Sequence, residues 1–220
     1  MDELILRSVE REGLDTVVNL AAGLDARPYR LPLPPALKWI EVDLPEILDY
    51  KQQALAGERA VCEYEVVKLD LADAGARREL FARVGAGSKR ALVVTEGLLI
   101  YLAPEQVGAL AADLRAQGSF GWWLTDIVRP ETLKRVEKSW GKYVAEANVP
   151  FRFAPAEGTD FFRPFGWREA EFRSMMEDAH RLKREVPLAW LWRLLGRLQP
   201  PAKREQFRRM GGVALLRRED

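Results

Sequence analysis

A chain of 220 residues, 48% apolar and 30% charged with a formal net charge of +1, has the make-up of one globular domain over residues 1–220. The near-neutral balance lacks the basic footprint of a nucleic-acid binder; the lone Cys62 excludes an internal disulfide framework or cysteine-based metal cluster, and the lone His180 a histidine-rich metal site. No window approaches the roughly 18 apolar residues of a membrane span and no secretory leader pattern opens the chain, so the expectation is a cytoplasmic protein with no stable membrane anchor, no bound metal and no nucleic-acid partner.

Residues 2–12 read as a short amphipathic helix with Leu4, Ile5 and Val9 on one face, stopped by Gly13. Thr16, Val17 and Val18 then give a buried strand that ends at Asn19-Leu20 and runs into Ala21-Ala22-Gly23, a turn with almost no side chain. In an α/β sheet that is where the backbone comes close to a ligand, outside the carboxyl ends of the strands. A proline connector at 32–35 leads to a second strand at 37–42, and Pro45 suits the first turn of a helix running to about Ala56. A third strand at 60–67, a helix at 77–84 and a short apolar strand at 90–95 follow. The clearest helix starts at Pro104, repeats Val107, Leu110, Ala111 and Leu114 on one face and stops near Gly118, before a fifth strand at 120–127. Alternating strands and helices imply a mostly parallel sheet with helices on both faces.

The second half is less regular. Residues 131–146 and 167–179 read as helices, 182–186 and 212–216 as strands, and the tryptophan-rich stretch 188–198 as an apolar helix that packs on the sheet, walls a pocket, meets a partner or, with Arg193 and Arg197 beside it, lies on a membrane surface. Residues 150–166 carry no assignable pattern.

The functional signal is positional. Three strands in succession end near a carboxylate: Asp43, Asp70 and Glu96. With the first strand central, all three line the same edge as the Ala21–Gly23 turn. An acid after the second strand can accept from both ribose hydroxyls, one after the third from an adenine amine, and one after the fourth can face a cation. Each acid alone is equally well read as a helix or turn cap; together, beside a small-residue turn, they favour a nucleotide-like site. A dinucleotide fits poorly. Ala21, Gly23 and Ala26 stand where the Gly-x-Gly-x-x-Gly fingerprint needs three glycines, and Asp25 would repel a pyrophosphate. A phosphate-free, positively charged adenosine derivative fits better, and S-adenosylmethionine has those properties.

At these residues the chain resembles a known family. NLAAGLDARPYRL is similar to the NLGAGLDTRxYRL signature of the leucine carboxyl methyltransferase family, which includes bacterial S-adenosylmethionine-dependent O-methyltransferases. WIEVDLPEILDYK, KLDLAD and VTEGLLIYLAPEQ resemble its next three blocks, in the same order. The resemblance covers about residues 1–128. It implies an α/β, Rossmann-like methyltransferase fold with a seven-stranded sheet in the order 3-2-1-4-5-7-6 and S-adenosyl-L-methionine as cofactor. By position, Ala21 and Gly23 would approach the methionine part, Asp43 the ribose, Asp70 and Leu71 the adenine, and Glu96 the sulfonium or amino group. The family usually carries several dozen residues before the first strand, so its N-terminal lid is expected to be largely missing here.

The implied reaction is methyl transfer to a carboxylate or hydroxyl of a small molecule; the competing reading is a methyltransferase-like binding or scaffold protein without turnover. The sequence assigns no catalytic residue and leaves homo-oligomerisation open. Tyr101 and Asp126 are candidates to face an acceptor, against packing and capping respectively. Arg27 and Arg30 match the family's arginines and are read as structural salt bridges. Cys62 is read as a small apolar residue, and His180 as a residue outside the chemistry.

Overall fold

A computed structural model describes residues 1–135, 138, 150–185 and 199–219. Its centre is β1 (Thr16–Leu20), whose residues are all buried and which pairs in parallel with β2 (Lys38–Asp43) on one side and β4 (Ala91–Thr95) on the other. Beyond β2 lies β3 (Glu63–Lys68), and beyond β4 lie β5 (Phe120–Val128), β7 (Gly211–Arg218) and β6 (Trp167–Ser174), giving the order β3-β2-β1-β4-β5-β7-β6. β7 is antiparallel to both neighbours. This is the expected seven-strand order.

Strand alternation splits the interior into two cores. Val18, Leu20, Ile40, Val42 and Val93 face one side, beneath α4 (Ala74–Ala86) and α5 (Pro104–Arg115). Val17, Trp39, Leu92 and Val94 face the other, against Leu4, Ile5 and Val9 of α1 (Asp2–Glu12). Each fully buried aliphatic side chain contributes on the order of 1.5–3 kcal/mol, so a polar replacement at Val17 or Val18 would disturb the core on its own side of the sheet. The short α2 (Arg27–Arg30) follows the first turn, and α3 (Pro45–Ala54) follows β2. Asp73 caps α4, accepting from the Gly75 and Ala76 N–H groups at 2.9 and 3.0 Å.

Two expectations for the second half are corrected. The residues read as a helix at 167–179 form β6 followed by α6 (Met175–Arg181). Arg, Glu and Ala in WREAEFRS favour helix locally, but pairing with β7 and burial of Trp167 override that preference. The charges are those of an edge strand: Glu171 pairs with Arg7, and Glu169 with Arg209. The sixth strand is therefore not at 182–186; residues 182–185 are turn and coil, with Lys183 at φ +56°. The rest of that stretch, the tryptophan-rich 188–198 and most of the helix read at 131–146 lie outside the described residues. The unassigned 150–166 contains a 3-10 segment, Gly158–Phe165, whose Phe162 ring packs edge-on against Trp123 at 5.0 Å. α7 (Pro201–Arg208) precedes β7. No helix among the described residues is long and apolar enough to cross a membrane.

Candidate functional site

The registers bring the site residues to one rim. Leu20 lies opposite both Val42 and Thr95, so β1, β2 and β4 end level. Ala21, Gly23, Asp43 and Glu96 follow directly, and Asp70 lies just past β3, where the Leu69 N–H donates to the Asp43 carbonyl at 2.9 Å. Asp126 joins them near the end of β5.

The first turn is built to stay open. Ala21 sits at φ +54° and Gly23 at φ +51°, left-handed backbone that costs an L-residue about 1–2 kcal/mol. The Ala22 N–H donates to the Val42 carbonyl at 3.2 Å, tying the turn to β2. A Cβ on Gly23 would meet no atom within 4 Å, so glycine serves the conformation there and the space above it is clear.

Asp43 sets that turn. Its Oδ2 accepts from the Gly23 N–H at 2.7 Å and its Oδ1 from the Leu44 N–H at 2.8 Å. A carboxylate has about four acceptor sites, so each oxygen retains capacity for one further donor. Asp70 is exposed and accepts from the Ala72 N–H at 2.8 Å, the capping role considered from sequence, with its second oxygen uncommitted to that bond. Leu71 packs partly against the core, and its carbonyl accepts from Arg77 at 2.8 Å. Arg77, which also pairs with Asp113 of α5 at 2.5 Å, pins the loop after β3.

Glu96 is half-exposed and ion-paired with Arg27 at 2.6 Å. Arg27 is the residue whose weight the sequence understated. Its side chain is only 9% exposed and meets three carboxylates: Asp2 at 2.7 Å, Asp25 at 2.8 Å and Glu96. Burial alone would lower its pKa, but the three acids overcome that and hold the guanidinium charged. The salt-bridge reading of Arg27 and Arg30 thus holds, Arg30 pairing with Asp2 at 2.6 Å. Burial pushes the Asp2 carboxyl up, yet the two arginines outweigh it and bring it down to about 2. Asp25, read from sequence as a charge that would repel a pyrophosphate, is paired with Arg27 and also holds the turn. It accepts from the Asn19 side chain and the Arg27 N–H at 2.8 and 2.9 Å and braces the turn from below. A polar Asn ending a fully buried strand was the signal for that role.

Asp126 is partly exposed and reaches the turn after β4. Its Oδ1 accepts from the Gly97 N–H at 2.8 Å, and burial, opposed by that amide and reinforced by Glu96, pushes its carboxyl up. Gly97, at φ +65°, takes the left-handed turn that this contact requires. Tyr101 lies in a 3-10 turn (Leu99–Tyr101) with its ring 5.6 Å from Phe151, in line with packing. Cys62 lies just before β3 rather than within it, and burial raises its thiol to about 11, which keeps it protonated and inert. His180 sits in α6 rather than before a strand, 3.0 Å from Glu185.

Two hollows among the described residues lie apart from the Ala21–Gly23 turn. One, of about 30 Å³, lies at the end of β5 beside Thr159 and Arg209. The other, of about 370 Å³ and lined by Lys89, Arg90, Arg217 and Arg218, lies at the opposite end of the sheet. Its Arg90 and Arg218 are committed to main-chain carbonyls of Glu12, Arg115 and Gln117 at helix ends. Neither brings together acids and an open turn, so the rim is the stronger candidate.

The residues that form this rim coincide with a recognised sequence family: a model described as leucine carboxyl methyltransferase matches residues 1–115. The chain belongs to that family. A relative within it from Mycobacterium sp. (strain KMS), named "Putative S-adenosyl-L-methionine-dependent methyltransferase", is 32% identical over 174 residues, which cover 74% of this chain and 58% of the relative. A protein of the same name from Saccharopolyspora erythraea is 43% identical over 115 residues, 49% of this chain and 39% of that one. The matched stretches thus span between 39% and 58% of the length of these two relatives. Among solved structures, a DUF574 family protein from Streptomyces avermitilis aligns with TM-score 0.65 at 14% identity, over 99% of this chain and 80% of that one. An O-methyltransferase family protein from Burkholderia thailandensis aligns with TM-score 0.61 at 13% identity, over 100% and 56% respectively. At these identities the structures support the fold alone, and they share it with the family's chain described here.

Proposed function

We propose that the protein is an S-adenosylmethionine-dependent O-methyltransferase acting on a carboxylate or hydroxyl of a small molecule. The observation that carries this reading is the open, acid-lined rim at Ala21–Gly23, braced by Asp43 and flanked by Glu96.

The donor set suits a phosphate-free cation. Asp2, Asp25 and Glu96 face two arginines, Arg27 and Arg30, leaving one net negative charge, and Asp43 and Asp70 add two more around the rim. A pyrophosphate would be repelled there. In this reading Asp43 would accept from the ribose hydroxyls, Asp70 from the adenine amine beside Leu71, and Glu96 would face the charged amino-acid end, with the Ala21 and Gly23 backbone alongside. The bound cofactor would supply an electrophilic methyl group on a sulfonium sulfur.

The chain's own contribution is alignment and exclusion of water. A carboxylate acceptor is ionised at neutral pH, so no general base is required, in keeping with the lack of an exposed histidine at the rim. A phenol would need an acceptor for its proton; Asp126 is engaged with Gly97, and Tyr101 would serve only as a hydrogen-bond partner. Support also comes from the family membership and from relatives named as methyltransferases of this cofactor.

Calorimetry with S-adenosylmethionine, S-adenosylhomocysteine and NAD tests the cofactor, and methyl transfer to panels of carboxylic acids and phenols tests the reaction. Tight binding of the first two with turnover is expected. Binding without turnover on any acceptor would favour a binding protein, and tight NAD binding would overturn the proposal.

A further inference from the structure

We infer that Arg27 is a positioning residue: it presents the Glu96 carboxylate to the cationic end of the ligand and makes that presentation depend on the docking of α1 through Asp2. The inference rests on the S-adenosylmethionine reading of the rim.

Each guanidinium nitrogen of Arg27 serves a different acid on a different element. Nε donates to Asp2 Oδ1 of α1 at 2.7 Å, one terminal nitrogen pairs with Asp25 Oδ2 of the ligand turn at 2.8 Å, and the other with Glu96 Oε2 after β4 at 2.6 Å. The planar fork fixes these directions relative to one another. Glu96 is half-exposed, and a glutamate so exposed samples many rotamers unless something holds it. Arg27 holds one of its oxygens, and Oε1 carries no protein partner among the described residues. Asp126 separately fixes the next residue through the Gly97 N–H at 2.8 Å, so the backbone after β4 is set without Arg27. What Arg27 adds is the direction of one side chain. It does so without cancelling that carboxylate, because Asp2 and Asp25 already balance its charge.

Removing Asp2 deprives Nε of its acceptor and leaves Arg27 shared between Asp25 and Glu96 alone. Among the described residues, Asp2 and Glu96 share Arg27 alone as a common partner. Any energetic coupling between them therefore reports on the arginine.

The test is a cycle of D2N, E96Q and the double variant, titrated with S-adenosylhomocysteine and with 5′-methylthioadenosine, which keeps the nucleoside and lacks the amino-acid end. E96Q should weaken S-adenosylhomocysteine about tenfold and D2N about threefold, both leaving 5′-methylthioadenosine within twofold of the parent. The double variant should match E96Q, since D2N acts through the side chain already neutralised. R27K, which keeps the charge and loses the fork, should weaken S-adenosylhomocysteine at least as much as D2N. The inference is overturned if D2N leaves S-adenosylhomocysteine unchanged, if it weakens both ligands alike, or if its threefold penalty persists on E96Q. A parent protein that binds neither nucleoside sinks the cofactor reading itself, and this inference with it. Asp2 lies in the first turn of α1, so D2N is expected to stay folded, and thermal unfolding checks that it does.

Discussion

Replacing Asp43 with alanine separates the two tasks assigned to that carboxylate. In the free protein it accepts two main-chain amides, from Gly23 at 2.7 Å and Leu44 at 2.8 Å. Both bonds compete with water at a half-exposed site, so their joint loss is expected to cost about 1–2 kcal/mol. For a chain of this size that lowers the melting temperature by roughly 2–8 °C. In the complex the same oxygens would accept two ribose hydroxyls, each bond worth about 1.5–3 kcal/mol; the lower end, halved for exposure, still leaves roughly tenfold weaker binding, and the full lower value a hundredfold. The assay is calorimetric titration of S-adenosylhomocysteine and of its 2′,3′-dideoxy analogue against parent and D43A. The parent should prefer the ribosyl ligand and D43A should lose that preference. If D43A weakens both ligands equally, the carboxylate acts only by shaping the Gly23 turn. If it weakens neither while the protein stays folded, the ribose lies elsewhere.

Three further outcomes follow from the same geometry. Lys51→Met strips the partner from Glu41, which is 0% exposed beside a lysine 3% exposed at 2.5 Å; urea denaturation should show a loss of about 3–5 kcal/mol, largely recovered in E41L/K51M, and a loss under about 1 kcal/mol would show the pair is dispensable. Ala21→Gly relieves about 1–2 kcal/mol of left-handed strain against about 0.4–1 kcal/mol of added freedom in the unfolded chain, so denaturation should show a gain of up to about 1.6 kcal/mol; a clear loss would mean the methyl group packs usefully. Asp2 has its pKa depressed to about 2, so the stability it contributes is present above its ordinary value near 3.8 and is lost as pH falls through about 2. The stability difference between parent and D2N should accordingly be flat above about pH 5, shrink as pH falls through about 2 and vanish by about pH 1, as followed by chemical denaturation at each pH; a difference that persists below that would assign it to something other than the arginine pairs.

The first half of the fold was legible because its signals are local and agree with one another. β1 is a short β-branched run before a small-residue turn, Pro45 and Pro104 open their helices, and Gly13 closes α1, so period, caps and breakers point the same way. β6 was not legible because an edge strand hides its pattern. Only Trp167 and Ser174 are fully buried, and the ladder shifts register between Glu169 and Glu171, which breaks the alternation a reader looks for. The rim acids could be found by their position after strands, since register follows from strand order. Their partners could not. That Asp2, 25 residues before Arg27, docks onto it, and that Arg77 reaches Asp113 across two helices, depend on packing that no spacing encodes. The buried Glu41–Lys51 pair, bonded also by Tyr64 at 2.6 Å, shares this difficulty: in sequence Glu41 looks like one more strand-end acid.

The antiparallel placement of β7 has a consequence for how such a molecule can diversify. Ser174 and Gly211 both lie beside the end of β5, since β6 pairs Ser174 with Gly212 and β7 pairs Gly212 with Ile127 and Gly211 with Val128. Residues 175–210 therefore depart from and return to the same margin that carries Glu96 and Asp126. An excursion with adjacent ends can lengthen at small entropic cost, about 0.6 kcal/mol for each doubling. A change of length between residues 174 and 211 therefore leaves the β5–β7 and β6–β7 registers as they are.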